Sequence, residues 1–151
     1  MKSNFFFHNG GLAMMLLAAM GLAPAAVRAQ TDAEVAAHAS VLDLAGAFTN
    51  DGFKLRDGND SGTLKPAQST LVQVNLYAGN QYWFSVSTSN TAANVTLAVY
   101  DETGKLLKTD PYTNSNRAAA GLAPDASGPY YVRIANGGAA PATFCLIYSY
   151  K

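Results

Sequence analysis

Alternation of apolar and polar residues over residues 70–104 is the clearest pattern in the chain. Three runs follow one another there, T-L-V-Q-V-N-L-Y, Q-Y-W-F-S-V-S and V-T-L-A-V-Y, and turn residues such as A-G-N and D-E-T-G flank them. A period of two puts one face of a strand on a core and the other toward water. The three runs therefore predict an antiparallel sheet.

Further strand candidates follow this block. K-L-L-K at residues 105–108 is predicted to pair with V-T-L-A-V-Y across the D-E-T-G turn, and residues 109–117 are predicted as a polar loop. The remaining candidates are A-A-A-G-L at 118–122, G-P-Y-Y-V-R-I at 128–134 and T-F-C-L-I-Y-S-Y at 143–150. Seven to eight short strands with regular turn signals predict an all-β fold, an antiparallel, jelly-roll-like β-sandwich.

The inward-facing positions of these strands define a predicted core. They are Val72, Val74, Leu76, Tyr82, Phe84, Val86, Val95, Leu97, Val99, Tyr130, Val132 and Ile134.

Residues 1–29 have the pattern of a secretory signal peptide. A basic start is followed by an apolar stretch at residues 11–23, too short to span a bilayer, and by small residues up to Ala29. We expect cleavage between Ala29 and Gln30, with a cut after Ala25 or Ala26 as the alternative. An uncleaved membrane anchor is disfavoured by the short apolar stretch. The mature protein is expected to be secreted or periplasmic, with no membrane span.

Residues 30–48 form a separate N-terminal segment, and residues 49–151 the predicted β-sandwich domain. Thr31 and Glu34 have the spacing of a capping box, and Val35, Ala39 and Leu42 fit a short amphipathic helix. V-L-D-L-A-G-A-F at residues 41–48 fits the first strand equally well. Periodicity alone leaves both alternatives open.

Charge and cysteine content exclude several classes. Without Lys2 and Arg28, eight basic and ten acidic side chains remain with no basic run, so we expect no nucleic-acid partner. Cys145 is the single cysteine, so no intramolecular disulfide forms. It alternates with apolar residues and is predicted to be a buried thiol in a monomer; a Cys145-linked dimer is the alternative.

The segment D-G-N-D-S-G carries the only candidate metal site. Asp57, Asn59 and Ser61 at alternate positions before Gly62 copy the first half of a calcium loop. Gln68 stands where such a loop carries a bidentate carboxylate, and the same residue types are common in tight turns. We expect a plain turn and no cofactor, with a weak calcium site as the alternative.

Catalytic constellations are not visible in the sequence, so no enzymatic activity is predicted. His38 is the single histidine after residue 29, which leaves Cys145 and the serines without an evident base. Asp101 and Glu102 are adjacent in a hairpin turn, where neighbouring side chains point apart. A solvated turn explains them better than an acid–base pair.

Aromatic residues at outward strand positions are the candidate ligand-binding residues. These are Trp83, Tyr100 and Tyr131. Flat rings on a sheet face stack on sugars or become buried in a partner surface. The ligand they predict is a protein or a carbohydrate.

The order of these motifs resembles bacterial pre-peptidase C-terminal domains. The resemblance rests on L-Y-A-G-N-Q-Y-W-F at residues 76–84, V-T-L-A-V-Y-D-E-T-G-K-L-L at 95–107 and G-P-Y-Y-V-R-I at 128–134. It implies a jelly-roll-like β-sandwich, usually appended to secreted peptidases and used for attachment, and in some members calcium binding. Here Asn94 and Thr96 replace the family's D-x-D-L acids, and no peptidase precedes the domain, so we expect a stand-alone module.

Three functional classes follow from these observations. The sequence favours a secreted, non-catalytic module that binds or attaches to a protein, a cell surface or a polysaccharide. A structural or assembly component of the bacterial envelope is the alternative, and an unrecognised hydrolase is the least favoured class.

Overall fold

The computed structural model describes residues 30–151, and the predicted signal peptide at residues 1–29 lies outside them. The described part contains one α-helix and nine strands, against the seven to eight predicted. These are α1 (Asp32–Thr49), β1 (Lys54–Leu55), β2 (Asp60–Leu64), β3 (Ser69–Leu76), β4 (Tyr82–Thr88), β5 (Val95–Tyr100), β6 (Asp110–Asn114), β7 (Arg117–Leu122), β8 (Gly128–Asn136) and β9 (Ala142–Tyr150).

Two antiparallel sheets face each other. The first has the order β1-β9-β4-β7-β6, and β2 also pairs with β9, which makes six strands. The second has the order β3-β8-β5. This is the predicted all-β class, an antiparallel, jelly-roll-like β-sandwich.

The core lies between the two sheets, where apolar side chains from both inner faces pack together. Ten of the predicted core residues are buried, and Val72 and Leu97 pack against them partly buried. The prediction of the core is confirmed. The core also contains residues from β2, β7 and β9 that were not predicted, namely Leu64, Ala118, Ala120, Phe144 and Leu146.

The N-terminal segment forms the helix, and the strand alternative is wrong. The predicted capping box is present: the Thr31 hydroxyl accepts from Glu34 N, and the Glu34 carboxylate accepts from Thr31 N. The buried face differs from the predicted one. It consists of Ala37, Val41, Leu44 and Ala45, whereas Val35 and Leu42 point to solvent.

The helix covers the first sheet from outside. Its buried face packs on Cys145 and Ile147 of β9. Within residues 30–151, no helix is long and apolar enough to cross a membrane.

Two local predictions were wrong, and a third is confirmed in part. The D-G-N-D-S-G segment, expected to be a plain turn, runs into β2, which pairs with β9 along its whole length. The predicted loop at 109–117 contains β6, which pairs with β7 across a two-residue turn. Residues 105–108 form no regular strand, but they pair with β5 as predicted: Leu106 makes an isolated bridge to Tyr100, and Leu107 N donates to Val99 O at 2.9 Å. For β2, pairing with a strand far along the chain decided the conformation, and local composition did not.

Candidate binding surfaces

The outer face of the six-stranded sheet is covered by α1 over β9 and β4. Ala37, Val41 and Ala45 of the helix pack on Cys145 and Ile147 of β9. This contact makes the six-stranded sheet the middle layer of a helix–sheet–sheet arrangement. The part of its outer face formed by β9 and β4 is therefore not an open binding surface.

Polar contacts join the same two elements beside this apolar contact. Ser87 Oγ donates to Ser40 Oγ at 2.7 Å, and Arg117 Nε donates to the same atom at 3.1 Å. Arg117 Nη1 also forms an ion pair with Asp43 Oδ2 at 2.9 Å. These contacts fix the middle of the helix on β4 and β7.

Trp83, a predicted ligand-binding residue, lies under the C-terminal end of α1. Its indole stacks on the ring of Phe48, with centroids 4.2 Å apart and planes within 10°. On the neighbouring strand, a Cβ at Gly121 would lie 3.0 Å from the indole, so glycine makes room for the ring. One face of the indole is thus taken by the helix. The predicted ligand contact of Trp83 stays a prediction.

Tyr100 and Tyr131, the other two predicted aromatics, lie together on the second sheet. They are direct cross-strand partners on β5 and β8, and they face away from the core. Arg133 and Leu71 form the next pair along the same face, and Leu71 is 60% exposed. We call this surface, formed by Leu71, Tyr100, Tyr131 and Arg133, the tyrosine–arginine face.

The turn at residues 101–104, directly after β5, closes one end of the tyrosine–arginine face. The turn and the face form a shallow, open cavity of about 500 Å³. Asp101 Oδ1 accepts hydrogen bonds from Thr103 N at 2.9 Å, Thr103 Oγ1 at 2.6 Å and Lys105 N at 3.0 Å. The Thr103 hydroxyl, followed by the Lys105 amide, lowers the pKa of Asp101. Asp101 therefore acts as a turn-forming carboxylate.

The predicted calcium residues lie at the start of β2. Ser61 Oγ donates to Asn59 Oδ1 at 3.0 Å, and Ser61 is paired opposite Cys145 in the sheet. In the part of the chain that the structure describes, no group of three or more His, Cys, Asp or Glu side chains could hold a metal ion. Calcium binding by Asp57, Asn59 and Ser61 stays a prediction.

Cys145 is buried between β9 and α1, with no exposed surface. Burial raises the pKa of its thiol, which keeps it protonated at neutral pH. A thiol in this position is neither a ready nucleophile nor able to reach a second chain without displacement of the helix.

A cleft that the sequence did not predict lies at one end of the sandwich, where β3 ends, β4 begins and β9 ends. We call it the tyrosine cleft; it has a volume of about 340 Å³ and is lined by Arg56, Asn75, Tyr77, Asn80, Tyr82, Tyr148 and Tyr150. Tyr82 was predicted only as a core residue. Two features of the sequence could have indicated the cleft: the alternating tyrosines of I-Y-S-Y at residues 147–150, and Tyr77 directly after β3.

These observations define a class of protein, an antiparallel β-sandwich with one helix on its outer face. Neither protein-family models nor curated protein sequences match this chain. Among solved structures it is similar to the pre-peptidase C-terminal domain of a collagenase from Bacillus anthracis. The TM-score is 0.50 at 16% identity, covering 60% of this chain and 87% of that domain. The protein therefore has a fold like that of pre-peptidase C-terminal domains.

Two further solved structures are similar at lower TM-scores. A periplasmic inhibitor of g-type lysozyme from Aeromonas hydrophila has a TM-score of 0.45 at 15% identity, covering 62% of this chain and 85% of the inhibitor. A de novo designed double-stranded β-helix has a TM-score of 0.36 at 13% identity, covering 60% of this chain and 97% of the design.

Proposed function

We propose that this protein is a secreted, non-catalytic module that attaches to a partner protein through the tyrosine–arginine face. The observation that carries the proposal is the cross-strand pair of Tyr100 and Tyr131 beside the 60% exposed Leu71. Tyrosine and arginine are enriched in protein interfaces and at their energetic hot spots.

The shape of this face supports a protein partner. Its side chains come from three adjacent strands and form a broad surface, whereas small-molecule sites are usually enclosed. Leu71 and Tyr100, on the two outer strands, give apolar surface on either side of β8, which carries Tyr131 and Arg133. This combination is typical of a surface that becomes buried in a complex.

The absence of catalytic activity is part of the proposal. The Cys145 thiol is buried, and the Asp101 carboxylate is held by turn hydrogen bonds. His38 lies on α1, which packs on the first sheet, whereas the tyrosine–arginine face belongs to the second sheet. These positions give little support to a nucleophile–base pair or to a pair of catalytic carboxylates. The signal-peptide pattern of residues 1–29 supports export to the periplasm or beyond.

An assembly role in the envelope has less support. β6 is an edge strand with all five residues exposed, which would suit strand addition. However, Pro111 in β6 has no N–H to donate, and Asp110 places a charge on the edge. The buried Cys145 disfavours a disulfide-linked dimer for the reason given above.

Surface plasmon resonance tests the proposal, with envelope and secreted proteins of the producing organism as the probe. We expect Leu71→Asp and Tyr131→Ala to weaken binding by roughly tenfold or more, because they remove apolar contact surface from the face. Tyr112→Ala is the matched control, since Tyr112 is 41% exposed but lies on β6 of the other sheet.

Two treatments of the probe distinguish a protein partner from a carbohydrate partner. Protease treatment of the probe should abolish binding, and periodate oxidation of its sugars should not. Binding that survives proteolysis, or that Leu71→Asp leaves unchanged while the variant melts as the wild type does, would contradict the proposal.

A further inference from the structure

We propose that the tyrosine cleft is a second ligand site and that it takes an uncharged oligosaccharide. The cleft lies at one end of the sandwich, with residues from both sheets, and shares no lining residue with the tyrosine–arginine face. The inference therefore does not depend on the proposed attachment function.

The lining of the cleft is the first argument. It consists of four tyrosines, two asparagines and one arginine, with no aliphatic side chain. A sugar ring presents C–H groups on its faces and hydroxyls around its rim, so it matches flat rings next to amide and phenol groups. A peptide with apolar side chains would find no aliphatic wall in this part of the cleft.

Two exposed rings provide the stacking surfaces. Tyr77 is 64% exposed and Tyr150 is 38% exposed, although both are large aromatic residues. Tyr77 directly follows β3, and Tyr150 ends β9, so the two rings belong to different sheets. A ligand between them would contact both sheets.

The walls of the cleft are already held in place. Tyr82 Oη accepts hydrogen bonds from Tyr77 N at 3.0 Å and from Asn80 Nδ2 at 3.2 Å. Arg56 Nη1 donates to Tyr148 Oη, and the guanidinium lies 5.2 Å from the centre of the same ring. A preorganised wall reduces the entropy cost of binding. Within the described residues, no hydrogen bond engages the Asn75 side chain, which leaves its amide for ligand hydroxyls.

The cleft continues into a second cavity of about 300 Å³. Arg56, Asn75 and Tyr148 line both parts, and the second part adds the polar residues Asp57, Asn59, Asp60 and Gln73 together with Gly58, Val74, Leu146 and Ile147. The four added polar side chains are acceptors and donors for hydroxyl groups. The continuous length suits more than one sugar unit.

Charge selects among sugars. The single cation, Arg56, is outnumbered by Asp57 and Asp60 along the combined cleft. Uronic acids and phosphorylated sugars would therefore meet net repulsion, whereas uncharged sugars would not. The D-G-N-D-S-G segment then serves as one wall of a sugar site.

Isothermal titration calorimetry of residues 30–151 tests the proposal. The probes are the hexasaccharides of cellulose, chitin, xylan and mannan, with polygalacturonate as the acidic comparison. We expect at least one uncharged probe to bind and polygalacturonate not to bind. Tyr77→Ala and Tyr150→Ala should each weaken that binding by roughly tenfold, and Tyr77→Phe should retain it because it keeps the ring.

Control variants separate this proposal from the first one. Leu71→Asp should leave sugar binding unchanged, and Tyr77→Ala should leave attachment to the protein partner unchanged. Absence of binding to all four uncharged probes, preference for polygalacturonate, or equal binding by Tyr77→Ala with an unchanged melting temperature would overturn the proposal.

Discussion

The indole of Trp83 and the ring of Phe48 stack with their centroids 4.2 Å apart, and this contact fixes the end of α1 on β4. We predict a coupling energy of about 0.5–1.5 kcal/mol between the two residues, the usual range for aromatic pairs. A double-mutant cycle of Trp83→Leu and Phe48→Leu, measured by urea unfolding, gives this value. Additive effects of the two substitutions would contradict the contact.

Two neighbouring serines under the helix should respond oppositely to removal of their hydroxyls. Within the described residues, Ser85 Oγ is buried without a hydrogen-bond partner, whereas Ser87 Oγ donates to Ser40. We predict that Ser85→Ala stabilises the protein by up to about 1 kcal/mol and that Ser87→Ala destabilises it by about 1 kcal/mol. Thermal melting measures both, and each variant is the control for the other. A loss of stability in Ser85→Ala would point to an unseen partner.

Cys145 should react with a thiol reagent only when the protein opens. Its thiol has no exposed surface, and burial raises its pKa. Because the unfolded thiol ionises at lower pH than the folded one, this group lowers stability as the pH rises past the usual thiol range. Reaction with Ellman's reagent at neutral pH should be slow in buffer and fast in urea. Rapid reaction in buffer would show that the helix is not docked.

The Asp101 carboxyl should titrate below its usual range. Its hydrogen bonds from Thr103 and Lys105 favour the ionised form. A lowered folded pKa means that the ionised carboxyl supports the hairpin above the ordinary pKa, and that this support is lost as the pH falls through the folded pKa. A carbon-detected NMR titration measures the shift, and Thr103→Ala should move the pKa back upward. An unchanged pKa in Thr103→Ala would contradict this account.

Chelation should leave the melting temperature unchanged if the D-G-N-D-S-G segment keeps its conformation without bound calcium. We expect this because Ser61 already donates to Asn59 and lies in β2. Melting curves with excess calcium and with EGTA provide the comparison, since a ligand that binds only the folded state raises the midpoint. A higher midpoint in calcium, lost in Asp57→Asn, would establish the site instead.

Regular strands could be predicted from the sequence, and irregular ones could not. β3, β4, β5 and β8 have apolar residues at every second position, so their inward faces follow from local sequence. D-S-G-T-L in β2 and D-P-Y-T-N in β6 lack that alternation. They are strands because β9 and β7 supply hydrogen-bond partners. β9 lies far along the chain, so no local pattern encodes its pairing with β2, whereas β7 follows β6 after a two-residue turn, and only the polar composition of β6 concealed that hairpin.

The candidate surfaces show the same division. The sequence by itself determined that Trp83, Tyr100 and Tyr131 point away from the core, because side chains alternate along a strand. Only the tertiary structure decided that α1 covers Trp83 while Tyr100 and Tyr131 remain on an open face. It also brought Tyr77 and Tyr150 into one cleft. A period of two fixes the side of a strand on which a residue lies, whereas what covers that side depends on the packing of segments far apart in the chain.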